Sequence, residues 1–241
     1  MKAVLCAAGI GKRMNHLTIE TPKPLLPVGE KTIIEYIVDN LSAAGIKEVV
    51  VVVGYKAEMI KSRLGSHYGD CSITYVDNTD FVATNNIYSL WLARDLITEG
   101  MIFLNCDIVF NDEILPTLIA DEQPDSIVTD FEINLVDDSL RAFFENGRLA
   151  DIGKTIEKAN GWAMGIYKLS QNASEEYFKI AGGLFAQEEN NRNISFVVPL
   201  RIMASKLVVG AVPITSGEWA EIDTPEDYIY AKENIKKIKK I

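Results

Sequence analysis

Three features of the sequence predict an α/β fold with a mixed, mainly parallel sheet and helices on both faces. Apolar, β-rich runs alternate with amphipathic helical ones through the first 107 residues, in the order β-α-β-α-β-α-β. Two of those runs, KEVVVVVG (47–54) and MIFLNCD (101–107), are almost continuously apolar, as strands covered on both faces must be. The chain has 241 residues and is 48% hydrophobic, which is enough to bury a full core in one α/β domain.

Each element has a local reason. KAVLCAA (2–8) is apolar and short, and reads as the first strand. In TIIEYIVDNLSAAG (32–45), Ile33, Ile34, Ile37, Val38, Leu41 and Ala44 share one helical face, and Gly45 suits the position just past the end. AEMIKSRLG (57–65) is helical, CSITYV (71–76) is a strand, and NNIYSLWLARDLI (85–97) is a helix that Asn85 or Asn86 can cap. After residue 120 the rhythm changes. DSIVTDFE, RLADIG, GWAMGIYKL and KLVVGAVPI (206–214) read as strands, with helices expected over 173–189 and 193–205. The chain closes on a helix at TPEDYIYAKENIKKIKK. There Thr224 caps, Pro225 fits the first turn, Glu226 and Asp227 complement the positive end, and lysines crowd the other end.

Composition excludes several function classes. The net charge of −10 argues against broad binding to nucleic acid, which rewards a basic surface. It leaves room for a small anionic ligand held by local cations, backbone N–H groups or a divalent metal. No run of about 18 apolar residues is present, so no membrane span is expected. The N-terminal apolar run is broken by Gly9 and Gly11 and followed by cations, unlike a signal peptide. Cys6, Cys71 and Cys106 are dispersed and odd in number, which suits a reducing, cytoplasmic setting and offers no metal-site spacing.

The most informative stretch is CAAGIGKRMNHLTIETPKPLLPV (6–28). A Walker loop is excluded by Cys6 and Arg13 at two of its fixed positions, and a dinucleotide fingerprint by Met14 at its third glycine. What remains is a long loop after a strand. Gly9 and Gly11 permit close backbone approach to a phosphate, Lys12 and Arg13 sit beside them, and Lys23 lies between Pro22 and Pro24. Those prolines predict a stiff, extended segment that aims Lys23. Ligands of parallel α/β sheets bind at the carboxyl ends of strands, where this loop and Asp107 both lie.

A-A-G-x-G-x-R-M followed by T-P-K-P-L-L-P-V-G, over residues 3–29, resembles the signature of the nucleotidyltransferases of the NDP-sugar pyrophosphorylase-like superfamily. DNTDFVATNNIYSL (77–90), GWAMGIYKLS (161–170) and EIDTPEDY (221–228) are similar to bacterial CTP:phosphocholine cytidylyltransferases. The resemblance implies a Rossmann-like fold of the nucleotide-diphospho-sugar transferase type in one domain, 1–241. Residues 1–120 would be its nucleotide-binding half, and 121–241 its acceptor-binding half and closing helix. It further implies a Mg2+-dependent transfer from a nucleoside triphosphate, CTP favoured, to phosphocholine or a similar small phosphomonoester, with release of pyrophosphate.

In that reaction the acceptor phosphate is already ionised, so the burden falls on gathering charge rather than on a protein nucleophile. This fits a chain whose only histidines, His16 and His67, lie near turns. By resemblance Arg13 and Lys23 are catalytic, and Asp107 and Asp223 hold the metal. Read locally, those two could equally be a turn carboxylate and a helix cap. The expected nucleotide-binding set is Leu5, Ala7, Ala8, Gly9, Gly11, Lys12, Arg13, Gly54, Tyr55, Asn78, Asn85 and Asn86. The expected acceptor set is Lys23, Glu157, Lys158, Trp162, Tyr167, Glu218 and Trp219. Aromatic faces and a carboxylate would suit a choline head, whereas Glu157-Lys158 would suit a sugar phosphate. Trp91, on its helix, is expected to be core.

Two alternatives stay open: a sugar-1-phosphate or inositol-1-phosphate nucleotidyltransferase using CTP, UTP or dTTP, and a catalytically silent nucleotide-binding sensor or subunit. The 121–205 region would also leave room for a homo-oligomer contact.

Overall fold

Period-two alternation sorts the strand residues onto the two faces of the sheet. In the computed structural model, which describes residues 1–132, 135 and 138–240, strand β1 (Lys2–Ala7) sends Ala3, Leu5 and Ala7 into one core and Val4 into the other. A loop follows that is not structureless. It carries a 3-10 turn at Lys12–Met14, the short helix α1 (Leu17–Glu20) and a second 3-10 turn at Lys23–Leu25. Two-residue strands β2 (Pro27–Val28) and β3 (Lys31–Thr32) lead into helix α2 (Ile33–Ala43), capped by reciprocal bonds between Thr32 and Glu35.

Next come β4 (Glu48–Val53), α3 (Ala57–Leu64), β5 (His67–Tyr68), β6 (Cys71–Asp77) and α4 (Asn86–Leu92), then β7 (Gly100–Asn105), β8 (Ile108–Phe110) and α5 (Ile114–Ala120). The expected helix over 85–97 divides, because a 3-10 turn at Arg94–Leu96 finishes it. The later region contributes β9 (Ser126–Asp130), β10 (Arg141–Glu145), β11 (Arg148–Gly153), β12 (Gly161–Ser170), α6 (Gln171–Gln187), α7 (Val197–Ala204), β13 (Gly210–Ile214), β14 (Trp219–Glu221) and α8 (Pro225–Ile238). The strand expected over 206–214 starts only at Gly210, since the N–H groups of Lys206 and Leu207 still bond back to Met203 at the end of α7.

Among the described residues the main sheet runs β11-β10-β12-β7-β1-β4-β6-β5, with β9 paired to both β12 and β13. Strands β7, β1, β4 and β6 are mutually parallel, so their carboxyl ends share one edge. Antiparallel β12 extends the sheet beyond β7. Helices α2, α3 and α8 cover one face, and α4, α6 and α7 cover the other, as the two hydrophobic clusters show. No helix among the described residues is long and apolar enough to cross a membrane.

A small second ribbon decides where the site lies. Strand β14 pairs antiparallel with β8, Glu221 opposite Ile108, and the Ile222 N–H donates to the Asp107 carbonyl at 2.7 Å. This ribbon carries the end of the chain back to the carboxyl edge of β7. Helix α8 then anchors it, with a Thr224–Asp227 capping box and a 2.7 Å bond from the Tyr228 hydroxyl to the Pro27 carbonyl.

Candidate active site

The β8–β14 ribbon sets Asp107 and Asp223 side by side, with Lys23 between them. The Lys23 ammonium donates to Asp107 Oδ2 at 3.1 Å and to Asp223 Oδ1 at 2.6 Å. Its side chain is only 11% exposed. Burial alone would lower the Lys23 pKa, but the two carboxylates outweigh it and hold the ammonium above its ordinary value. Burial would likewise raise Asp223; Lys23 and Arg13 reverse that and hold it below the usual carboxylate range. Asp107 Oδ1 is buried without a hydrogen-bond partner.

Lys23 is aimed differently from the extended segment expected. Pro22 is extended, but Lys23 opens a 3-10 turn with Pro24 inside it, where the missing proline N–H costs no bond. Gly11 is essential to this packing. Its φ is +70°, and a Cβ there would meet the Lys23 and Thr18 side chains at 3.2 Å. A Cβ at Gly9 would meet nothing within 4 Å, because Gly9 faces the open cleft. Lys12 is exposed beside it. Arg13 lines the same cleft but turns across its mouth, donating to Asp223 at 2.7 Å and to Asp138, which Lys154 also engages at 2.6 Å.

The cleft, about 500 Å³, opens at the carboxyl ends of β1, β6 and β7. Of the expected nucleotide residues, Ala7, Ala8, Gly9, Gly11, Lys12, Arg13, Asn78, Asn85 and Asn86 line it. Three do not. Leu5 points into the core on the α2 face, because alternation along β1 turns it inward. Gly54 lies beneath the loop rather than beside the cleft, and a Cβ there would meet Phe81 at 2.8 Å and the Ala8 carbonyl at 2.9 Å. Tyr55 points away, its hydroxyl donating to the carbonyls of Thr18 and Ile19, so it braces α1.

The asparagines are also busier than expected. Asn78 is buried and spends its amide on Thr84, Ser89 and the Asp80 N–H, shaping loop 79–85. Asn85 caps α4, and Asn86 Oδ1 accepts from the Phe196 N–H at 3.2 Å. Cys6, Asn105, Cys106, Phe81 and Val82 also line the cleft, and sequence reasoning missed them. For Cys6, Asn105 and Cys106 the available signal was their position at strand ends beside Ala7 and Asp107; Phe81 and Val82 come from the loop that follows β6.

A second cavity of about 390 Å³ adjoins the first, and Asp223 lines both. Its walls include Trp162, Trp219, Tyr230, Glu221 and Asp138. The two indoles meet edge to face, with centroids 5.2 Å apart. Glu221, absent from the expected set, is pushed up to about 8 by burial and by the neighbouring Asp107 and Asp223 charges, with Lys23 and Lys154 opposing in part. Period two along WAEID would have found it, since Trp219, Glu221 and Asp223 fall on one side of an extended segment.

Four expected acceptor residues lie elsewhere. Tyr167 is 1% exposed and packed between Phe103 and Phe196, because β12 turns it into the core. Glu218 pairs with Lys240 at 3.0 Å outside the cavity. Glu157 and Lys158 are exposed and line neither cavity. Trp91 is half-buried against Tyr88 and Phe185, away from both cavities, as expected of a packing residue. Among the described residues no group of three or more His, Cys, Asp or Glu side chains is placed to hold a metal ion.

Several known proteins are similar to this chain. The chain is 27% identical over 240 residues to a CMP-5'-(3-aminopropyl)phosphonate synthase of Streptomyces rubellomurinus, covering 94% of this chain and 37% of that protein. It is 38% identical over 112 residues to a 2-aminoethylphosphonate cytidylyltransferase of Lancefieldella rimae, covering 46% of this chain and 44% of that protein. Over 252 residues it is 26% identical to a CTP:phosphoglutamine cytidylyltransferase of Campylobacter jejuni, covering 94% and 97%. The chain thus spans less than half the length of the first two of these relatives. In fold it resembles the CTP:phosphocholine cytidylyltransferase LicC of Streptococcus pneumoniae, with a TM-score of 0.79 at 20% identity over 97% of this chain and 98% of that one. It also resembles the inositol-1-phosphate CTP transferase of T. maritima, with a TM-score of 0.76 at 22% identity over 98% and 96%. Residues 3–135, more than half of the sequence and including the glycine loop and Asp107, match the family model, and the chain belongs to the MobA-like NTP transferase domain family.

Proposed function

We propose that this protein is a Mg2+-dependent nucleotidyltransferase of the cytidylyltransferase kind. It joins CMP from CTP to a small phosphorylated acceptor with a cationic head, phosphocholine or a similar compound, and releases pyrophosphate. The observation that carries this reading is the convergence of Lys23, Asp107 and Asp223 in the first cleft, where Asp223 also lines the second cavity. The family membership and the cytidylyltransferase names of relatives support the choice of CTP.

The triphosphate belongs in the first cleft, along the Ala8–Gly11 backbone, where open space at Gly9 admits a phosphate closely. Lys12 and Arg13 are the cations at its mouth; a guanidinium suits bidentate phosphate contact. The acceptor phosphate enters from the second cavity. One of its oxygens forms the new bond to the α-phosphorus as the α–β bridging bond breaks, and the electron pair leaves with pyrophosphate. No proton need move, which agrees with a site free of histidine. Lys23 is already charged and buried there, so it can meet the developing charge without reorganising solvent.

The residues fit a magnesium ion. Two carboxylates supply hard oxygen ligands, and one of their oxygens, Asp107 Oδ1, is buried and unpartnered. Asp107 and Asp223 would hold the ion, which when bound would offset the negative charge of the phosphate oxygens. Lys23, now spread over both carboxylates, would then be released to the reacting phosphate.

For the acceptor, the second cavity combines two indoles, Tyr230 and the Asp138 carboxylate, with the acid form of Glu221 beside them, chemistry that suits an ammonium group. The sugar-phosphate alternative rested on Glu157 and Lys158, which lie outside both cavities. The test is pyrophosphate release from CTP, UTP, dTTP, ATP and GTP, each offered with phosphocholine, 2-aminoethylphosphonate and glucose 1-phosphate. CTP with a cationic acceptor is expected to react fastest with Mg2+, and absence of turnover for every pair rejects the enzyme reading.

A further inference from the structure

Behind the second cavity lies a carboxylate that the reaction does not use. Asp130, the last residue of β9, is fully buried. Its oxygens accept from the Trp219 indole N–H at 3.0 Å, from the Ser216 hydroxyl at 3.0 and 3.3 Å, and from the Glu132 N–H at 2.9 Å. All these groups donate, the surroundings an ionised carboxylate requires. Among the described residues no cation pairs with it, whereas Asp223, Asp107 and Asp138 all do pair. Asp130 also stands opposite Trp162 in the β9–β12 ladder. Its side chain therefore holds one indole of the cavity directly, Trp219 through its N–H, while the other, Trp162, stands across the ladder.

A buried carboxylate without a counter-ion is costly, and a neutral acceptor such as asparagine would serve mere packing. Its carboxylate lies at the N–H edge of the Trp219 ring, 3.0 Å from the nitrogen. A hydrogen bond from an indole N–H to an anion pushes electron density into the ring, and a cation is attracted to that density. We propose that Asp130 is a specificity-determining positioning residue: through Trp219 it tunes the acceptor cavity to select cationic heads over neutral ones of the same shape. This rests on the acceptor reading above for the cavity, and it adds the residue that sets the discrimination.

The experiment compares phosphocholine with 3,3-dimethylbutyl phosphate, its neutral carbon isostere. Binding of each to the full chain is measured by calorimetry, so no turnover is needed. The wild type is expected to prefer phosphocholine by about five-fold or more, the size of one desolvated cation–π contact. Asp130→Asn keeps the shape and, with its oxygen toward Trp219, an acceptor for the indole N–H, while the Glu132 N–H loses its partner. It should weaken phosphocholine about five-fold, leave the neutral isostere within about two-fold, and shift Trp219 fluorescence. Trp219→Phe removes the N–H, and in that background Asp130→Asn should no longer change the ratio of the two affinities.

Equal weakening of both ligands by Asp130→Asn would mean a structural role only and would overturn the proposal, as would a wild type with no preference or no binding of either. If Asp130→Asn does not fold, the Trp219→Phe comparison decides alone: an unchanged cation preference there overturns it. The pyrophosphate assay judges the enzyme reading separately, so a protein that selects the cation without turning over would fail that reading and keep this one.

Discussion

Lys23 and Asp223 lie 200 positions apart in the chain and 2.6 Å apart in space. The same ammonium reaches Asp107 at 3.1 Å, so one cation ties the glycine loop, the end of β7 and the start of α8 into a single site. Without a ligand Lys23 and Arg13 together offset the two carboxylate charges; with the proposed metal and triphosphate bound, these groups would have separate work. The mutational predictions follow from that difference.

Lys23→Ala should lower kcat by about two to three orders of magnitude while nucleotide affinity falls less, since the ammonium is placed for charge that develops in the reaction. Steady-state kinetics together with calorimetric CTP binding measure the two separately. Equal losses in both would assign Lys23 to ground-state binding instead.

Asp107→Asn and Asp223→Asn should each weaken Mg2+ binding in the presence of nucleotide and reduce activity by at least about ten-fold, with partial recovery at high Mg2+. Titration with Mn2+, read by its spin-resonance signal, reports binding without turnover. A fully active Asp107→Asn variant would remove that residue from the site.

Glu221 makes stability depend on pH. Its folded-state pKa is raised from 4.5 to about 8, so the folded protein binds the proton more tightly than the unfolded chain does. Stability is therefore lost as pH rises from about 4.5 towards 8. Metal-free Glu221→Gln should match or modestly exceed the wild type at pH 5 and gain on the order of 2 kcal/mol on it by pH 8. Urea melts at both pH values supply the comparison; a constant difference would mean that Glu221 is not held in its acid form.

Trp162→Ala and Trp219→Ala should raise the KM of a cationic acceptor by about ten-fold and change the CTP KM little. Tyr167→Phe offers the contrast. Its hydroxyl is buried without a partner, so removing it should leave acceptor KM unchanged and raise stability by up to about 1 kcal/mol. A raised acceptor KM in Tyr167→Phe would return that residue to the site, against its place in the core.

Much of the molecule was legible in the sequence because it depends on local rules. Short apolar runs identified β1 and β4, a shared apolar face identified α2, and capping chemistry placed the start of α8 at Thr224. The glycines, Lys23 and the two aspartates could be named from spacing and resemblance. Three of the residues that lie away from their expected places share one cause: direction. Leu5 and Tyr167 sit on strands at the edge of the site, yet each belongs to the inward-facing register. Tyr55 is beside the cleft in sequence but reaches back to brace α1.

What the sequence alone determined was the alternation of strands and helices through the first 107 residues, the cations available for an anionic ligand, and the carboxyl edge of the sheet as the place to look. Only the tertiary structure decided which side chains meet there. The β8–β14 pairing, a contact between distant segments with no local signature, brings Asp223 to Asp107 and carries Trp219 and Glu221 with it. Local propensity acts over a few residues, whereas a charge cluster drawn from residues 23, 107 and 223 exists only after the chain has folded, which is why its geometry could not be read from any one stretch.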